Sequence, residues 1–306
     1  MNQGIRHVFV VNPAAGKKNV APEIAGHIQA HAMEQQAHMY VTRGPGDATD
    51  YVRACAATTN ERIRFYACGG DGTLHEVVNG AVGFAHASIT AWPSGSGNDY
   101  VKYYGDPSCF LDFGALIAAQ ERKVDLMLVN GQRYAINMVH FGLDSAVAET
   151  MERVRRWPLL GGSNAYYTGA ARAIITSVRN AGEVSVDGQP INDGQLLLCT
   201  VACGRYVGGG FLTAPNSDNQ DGLLDVLLVN PISRLRIPGL INLYKTGQHM
   251  DSKKLMNDFV YRRGKEVHIR TPERTSQLLD GEIVHISDMR VEVVPEAIRF
   301  AVPGGL

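Results

Sequence analysis

Long hydrophobic runs are missing from this 306-residue chain. A membrane-crossing helix needs about 18 consecutive apolar residues, and the longest runs here, such as Leu196–Cys203, stop near eight. A surplus of either charge is missing too. Lysine and arginine number 29 against 30 aspartates and glutamates, a net charge of −1. That balance argues against nucleic acid as a partner, because such affinity rests on neutralising many phosphates. Cysteine is scarce: five residues, an odd number, with no C-x-x-C. The closest pair, Cys199 and Cys203, flanks an apolar run and reads as core rather than metal site. The first dozen residues show no secretory-signal pattern, so a reducing, cytoplasmic setting is the expectation. No internal repeat or low-complexity stretch interrupts the chain. The G-x-x-x-x-G-K-[ST] phosphate loop is absent, so Lys17 is not a Walker lysine, and no G-x-G-x-x-G follows the first strand.

Glycine is what the chain has in abundance, 33 residues, and it is concentrated where strands end. Apolar runs at His7–Val11, Met39–Thr42, Ile63–Cys68 and Ile89–Trp92 read as strands of a parallel sheet buried on both faces. Helical stripes lie between them: Ile24, Ile28 and Ala32; Tyr51, Val52, Cys55 and Ala56; and Leu74, Val77, Val78, Ala81 and Val82. A further helix is predicted over 108–120. This alternation predicts a doubly wound, mostly parallel α/β domain over 1–124.

Beyond Lys123 the pattern turns to hairpins. Asn130-Gly131, Asp187-Gly188 and Asp280-Gly281 are type I′ signals between alternating runs. A β-rich, sandwich-like second domain is predicted over 125–295, interrupted by helices near 144–180 and 234–246. The segment 296–306 is expected to pack back on the first domain.

Three glycine clusters follow the first, third and fourth strands: Asn12–Lys17 (NPAAGK), Gly69–Thr73 (GGDGT) and Pro93–Asp99 (PSGSGND). Each alone reads as a tight turn. Three at the carboxyl edge of one sheet read as a phosphate site, where glycine lets backbone N–H groups approach an anion and a helix N-terminus adds its dipole.

GGDGT followed by HEVVNG, then PSGSGND, resembles the catalytic domain of the diacylglycerol kinase family, which includes sphingosine and ceramide kinases. The resemblance continues through Asn137, Gly142 and Asp144, through Gly208-Gly209-Gly210, Pro215 and DGLLDV, to Leu279-Asp280-Gly281-Glu282. GGDGT alone is shared with NAD kinases, and the later blocks select the lipid kinases. The chain departs from the family pattern in its first cluster (AAG for a serine before glycine), at Ser96 (commonly threonine) and at His140 (often glycine).

The resemblance implies an NAD kinase/diacylglycerol kinase-like two-domain architecture and an ATP- and Mg²⁺-dependent lipid kinase. Asn12, Thr42, Gly69, Gly70, Asp71, Gly72, Thr73, Ser96, Asn98 and Asp99 would bind the nucleotide, with Asp71 organising the catalytic Mg²⁺. Asp280 would be the general base and Glu282 the alternative. A structural Mg²⁺ would be held by Asp218, Asp221 and the Leu223 carbonyl. The acceptor would be diacylglycerol or a related lipid, met transiently at a membrane surface through Arg155–Leu160 or through Arg262, Arg263 and Lys265. Exposed strand edges in the second half could support a homodimer. Two other readings stand beside this one: a kinase of a soluble acceptor such as NAD, and a nucleotide-binding module without catalysis.

Overall fold

The computed structural model describes residues 4–155, 179–253, 255 and 257–304. Its first half is built on four parallel strands, β1 (Arg6–Val11), β2 (Ala37–Val41), β3 (Ile63–Gly69) and β4 (Ala87–Pro93), in the order β2-β1-β3-β4. Every residue of β3 and β4 is buried, as the continuous apolar runs require when helices cover both faces. Those helices are α1 (Ala21–Ala30), α2 (Asp47–Ala57) and α3 (Asp71–Ala81). Their apolar stripes join Phe9, Phe65, Tyr66, Ile89 and Trp92 in one core. Helix α1 stops short of the expected Ala32, which takes a left-handed turn conformation (φ 51°).

The single helix expected over 108–120 does not form. The chain makes two 3₁₀ turns, Tyr100–Tyr104 and Pro107–Leu111, then the five-residue α4 (Phe113–Ile117), and enters a strand at Gln120. Two aspartates explain the break. Asp106 accepts from the Ser108 N–H, and Asp112 from the Ala115 N–H, each starting a new short element. A short polar side chain that captures a nearby N–H ends one helix and caps the next.

The second half carries β5 (Gln120–Val129), β6 (Arg133–Ala135), β7 (Met138–Gly142), α5 (Leu143–Arg155), β8 (Glu183–Val186), β9 (Leu198–Ala202), β10 (Leu224–Val229), α6 (Ile237–Thr246), β11 (Phe259–Gly264), β12 (Glu266–Leu279) and β13 (Glu282–Val302). All three hairpin dipeptides adopt positive φ at both residues: Asn130-Gly131, Asp187-Gly188 and Asp280-Gly281, as type I′ turns demand. The helical stretch expected near 144–180 is seen as α5; residues 156–178 lie outside the described ones. Phe141, Val201, Val226, Leu228, Val267, Ile269 and Val291 form the second core.

Strand β13 joins the halves. It pairs antiparallel with β12 and β5, and its Arg299 and Phe300 pair in parallel with Ser88 and Ile89 of β4. The sheet is therefore continuous, in the order β11-β10-β9-β7-β12-β13-β4-β3-β1-β2. The result is a mostly parallel α/β half fused edge to edge with a β-rich half. Among the described residues no helix is long and apolar enough to cross a membrane.

Candidate active site

Parallel strands bring their carboxyl ends to one edge, so the segments after β1, β2, β3 and β4 meet there. Asn12 follows β1, and its N–H donates to the Cys68 carbonyl (2.9 Å). Buried Thr42 follows β2, its N–H donating to the Val11 carbonyl (2.9 Å). The loop after β4 closes over the end of β3, where the Ser94 and Gly95 N–H groups both donate to the Gly69 carbonyl (2.9 and 3.2 Å).

The glycines here divide into two groups. Some are needed because loops touch backbone to backbone. A Cβ on Gly16 (φ 68°) would sit 1.9 Å from the Ser94 carbonyl oxygen, and one on Gly95 would sit 2.4 Å from Gly70 Cα. Gly72 differs. A Cβ there meets nothing within 4 Å, and its backbone is ordinary helix. The fold does not require glycine at that position; a ligand lying on the first turn of α3 would.

Side chains tie the three clusters together. Asn12 Nδ2 donates to Thr73 Oγ1 (3.1 Å). Asn98 (φ 51°) holds its own loop, accepting from the Gly95 N–H (3.1 Å) and donating to the Gly95 carbonyl (2.9 Å). Ser96 is exposed at the loop tip. Asp71, the first residue of α3, accepts from the Asp99 and Tyr100 N–H groups through Oδ1 (2.7 and 3.4 Å). Its Oδ2 shares space with Asp99 Oδ2: a Cβ on Gly97 would lie 2.7 Å from the former and 3.3 Å from the latter. Burial first, then the charge of Asp99, raise the Asp71 carboxyl to about 6. Asp99 is buried and partly balanced by Lys102 (2.6 Å). Two adjacent carboxylates with spare oxygen lone pairs are a donor set that suits a hard divalent cation.

The second half contributes a different group of residues. Asp280, in the β12–β13 turn, is buried, and every lone-pair position of its carboxylate is filled. Oδ1 accepts from the N–H groups of Asn137 (2.9 Å) and Met138 (3.1 Å). Oδ2 accepts from the Ile136 N–H (2.8 Å) and from His75 Nδ1 (3.0 Å). His75 lies one turn along α3 from Asp71, so the pair joins the two halves across the cleft. Glu282 is partly exposed beside it, its Oε2 3.8 Å from His75 Nε2 and 3.9 Å from an Arg133 nitrogen. A second link across the cleft is the Gly209 N–H, which donates to Asp99 Oδ2 (2.9 Å). The GGG, Asn137 and Leu-Asp-Gly-Glu segments thus converge on Asp71, Asp99 and Asp280. His75, Lys102 and Gly209 belong to this arrangement although sequence reasoning assigned none of them an individual role. The signal for His75 was its place four residues after Asp71 on one helix.

The expected structural Mg²⁺ ligands have partners of their own. Asp221 pairs with Arg263 and accepts from the Leu223 N–H (3.0 Å). Asp218 Oδ1 accepts from the Gln220 N–H (3.0 Å) and faces the Tyr103 hydroxyl (3.4 Å). Among the described residues, no three His, Cys, Asp or Glu side chains gather to hold a metal. Arg263 supplies positive charge at Asp221 in this arrangement. Arg263 is also a member of one basic group expected to meet a membrane, with Arg262 and Lys265. Of the other group, residues 156–160 lie outside the described ones.

Two family models match the chain: the diacylglycerol kinase catalytic domain over residues 6–129 and the YegS C-terminal NAD kinase beta sandwich-like domain over residues 137–302. A "probable lipid kinase YegS-like" protein of Pseudomonas fluorescens is 31% identical over 294 residues, covering 94% of this chain and 93% of that one. A diacylglycerol kinase of Staphylococcus carnosus is 26% identical over 280 residues, covering 90% and 87%. Among solved structures, a diacylglycerol kinase from Bacillus anthracis shares the fold with a TM-score of 0.72 at 22% identity, covering 99% of each chain. An NAD kinase from Archaeoglobus fulgidus, in complex with ATP, does so at 0.52 and 10% identity, covering 97% of this chain and 94% of that one.

Proposed function

The chain belongs to the YegS-like, diacylglycerol kinase family of lipid kinases, and from that premise we propose that it uses ATP and Mg²⁺ to phosphorylate a hydroxyl of diacylglycerol or a closely related membrane lipid. The observation that carries this reading is the meeting, at the N-terminal end of α3, of the glycine loops, Asp71 and His75 with Asp280 and Glu282 from the second half.

Phosphoryl transfer needs little covalent help from a protein; it needs positioning and charge stabilisation. Gly69, Gly70, Gly72 and Thr73 offer backbone approach and a helix dipole to phosphate oxygens. Asn12 holds Thr73 in place, and Thr42, Ser96 and Asn98 border the same edge. Asp71 and Asp99 are the carboxylates that would hold Mg²⁺, which neutralises phosphate charge when bound. Asp280, with its lone pairs filled, fixes the far wall of the cleft and orients His75. Lys102 and Gly209 keep Asp99 turned inward.

Purified protein incubated with γ-labelled ATP, Mg²⁺ and vesicles carrying a panel of hydroxyl lipids should place label in the organic extract. Asp71→Asn should lose that transfer while remaining folded. A wild-type protein that binds ATP yet labels no lipid would contradict the reading.

A further inference from the structure

We propose that His75 is the proton acceptor for the lipid hydroxyl and that Asp280 is the residue that positions it. This rests on the lipid-kinase reading above and changes which side chain performs its proton transfer.

The argument begins with what Asp280 has left to offer. An ionised carboxylate has about four lone-pair sites. Here three accept from backbone N–H groups and the fourth from His75. A lipid hydroxyl could bind Asp280 only by displacing one of these bonds, and each is made inside the protein.

His75 has the opposite arrangement. Because Asp280 accepts, His75 Nδ1 carries the hydrogen and Nε2 carries the lone pair. Asn79 Nδ2 comes within 3.4 Å of Nε2, but its two hydrogens are already directed to the His75 carbonyl (2.9 Å) and the Tyr134 carbonyl (2.8 Å). The other polar neighbour of Nε2 is the Glu282 carboxylate at 3.8 Å, which accepts and does not donate. The one basic lone pair of the His75–Asp280 pair therefore remains unused. Its helix position suits the task. Residues four apart on a helix have Cβ atoms roughly 6 Å apart, so His75 stands one turn from Asp71 and the phosphate-facing end of α3.

The surroundings favour the protonated product. Burial alone would lower the His75 pKa; the hydrogen bond and charge of Asp280 and the charge of Glu282 outweigh it, against Arg133, and leave it above its ordinary 6.5. In the step itself the acceptor O–H bond breaks and its oxygen forms a bond to the transferred phosphorus. The bond from phosphorus to the departing nucleoside diphosphate breaks, its electron pair leaving with that product. The proton ends on His75 Nε2, between Asp280 and Glu282, and is later released to solvent.

His75→Gln, Glu282→Gln and the wild type should be compared with labelled ATP and the lipid acceptor across pH, alongside ATP affinity by calorimetry. His75→Gln is expected to lower kcat about 10²- to 10⁴-fold, to leave ATP affinity unchanged, and to lose the acidic limb that wild type should show with its midpoint above pH 6.5. In the nucleotide-free protein, the His75 ring proton should titrate above 6.5 by NMR. Transfer by His75→Gln within threefold of wild type with the same acidic limb would overturn the proposal. So would loss of that limb in Glu282→Gln alone, or a His75 that titrates below 6.5. If wild type labels no lipid at all, the lipid-kinase reading fails first and the proposal falls with it.

Discussion

Asp71 is kept where its charge destabilises the fold. Its carboxyl is raised to about 6 from 3.8, by burial and then by Asp99, so the charged form is disfavoured in the folded protein relative to the unfolded chain. Stability from this group is fully present below about pH 4 and is lost as pH rises through about 6. A shift of about two units corresponds to on the order of 3 kcal/mol. Asp71→Asn keeps an acceptor for the Asp99 N–H and places an amide donor toward the Asp99 carboxylate. In nucleotide- and Mg²⁺-free protein, thermal unfolding of this variant at pH 7.5 should occur several degrees above wild type. The gap should close as pH falls to 4. Asp280→Asn should do the reverse. Its amide hydrogens would face backbone N–H donors, and an unmatched buried donor costs about 1–3 kcal/mol, so its melting temperature should fall along with its activity. These two carboxylates were legible in the sequence as candidate site residues because GGDGT and Leu-Asp-Gly-Glu are recognisable strings. Their partners were not: three backbone N–H groups from residues 136–138 leave no trace in side-chain pattern, and a lone histidine on an amphipathic helix looks like any half-polar face.

Loops and turns at the sheet edge give the next test. Gly95 and Gly72 belong to neighbouring glycine clusters yet should respond oppositely to alanine. Gly95→Ala drives a methyl into Gly70 Cα at 2.4 Å, and overpacking of this kind costs about 1–3 kcal/mol. Gly72→Ala meets open space in the first turn of α3. It should stabilise the protein by about 0.5–1 kcal/mol while weakening ATP binding, measured by calorimetry beside denaturant unfolding. Strands and hairpins were readable because burial on two faces and Asn-Gly or Asp-Gly dipeptides act locally. The region 108–120 was not. Its apolar spacing allowed one helix, but the chain is cut by Asp106 and Asp112, whose effect depends on which N–H each side chain captures.

At the scale of the whole molecule, β13 decides whether the halves act together. Phe300, near its end, is fully buried against Tyr100, Tyr104 and Phe110 of the first half. The same strand begins at Glu282, beside the candidate active site. Phe300→Ala should cost about 3–5 kcal/mol, read by denaturant unfolding, and should reduce transfer by loosening the cleft between the halves. The two-half plan could be read from the change in texture after Lys123. That one 21-residue strand would stitch both halves into one sheet could not, because register between distant strands is set by tertiary pairing.

The most direct test places two acceptors in one reaction: vesicles containing diacylglycerol, and free NAD, with γ-labelled ATP and Mg²⁺. The lipid-kinase account predicts label in the organic phase, comigrating with a phosphorylated lipid and absent with Asp71→Asn. Label confined to the aqueous phase as phosphorylated NAD, or ATP binding without transfer to any lipid, would contradict it.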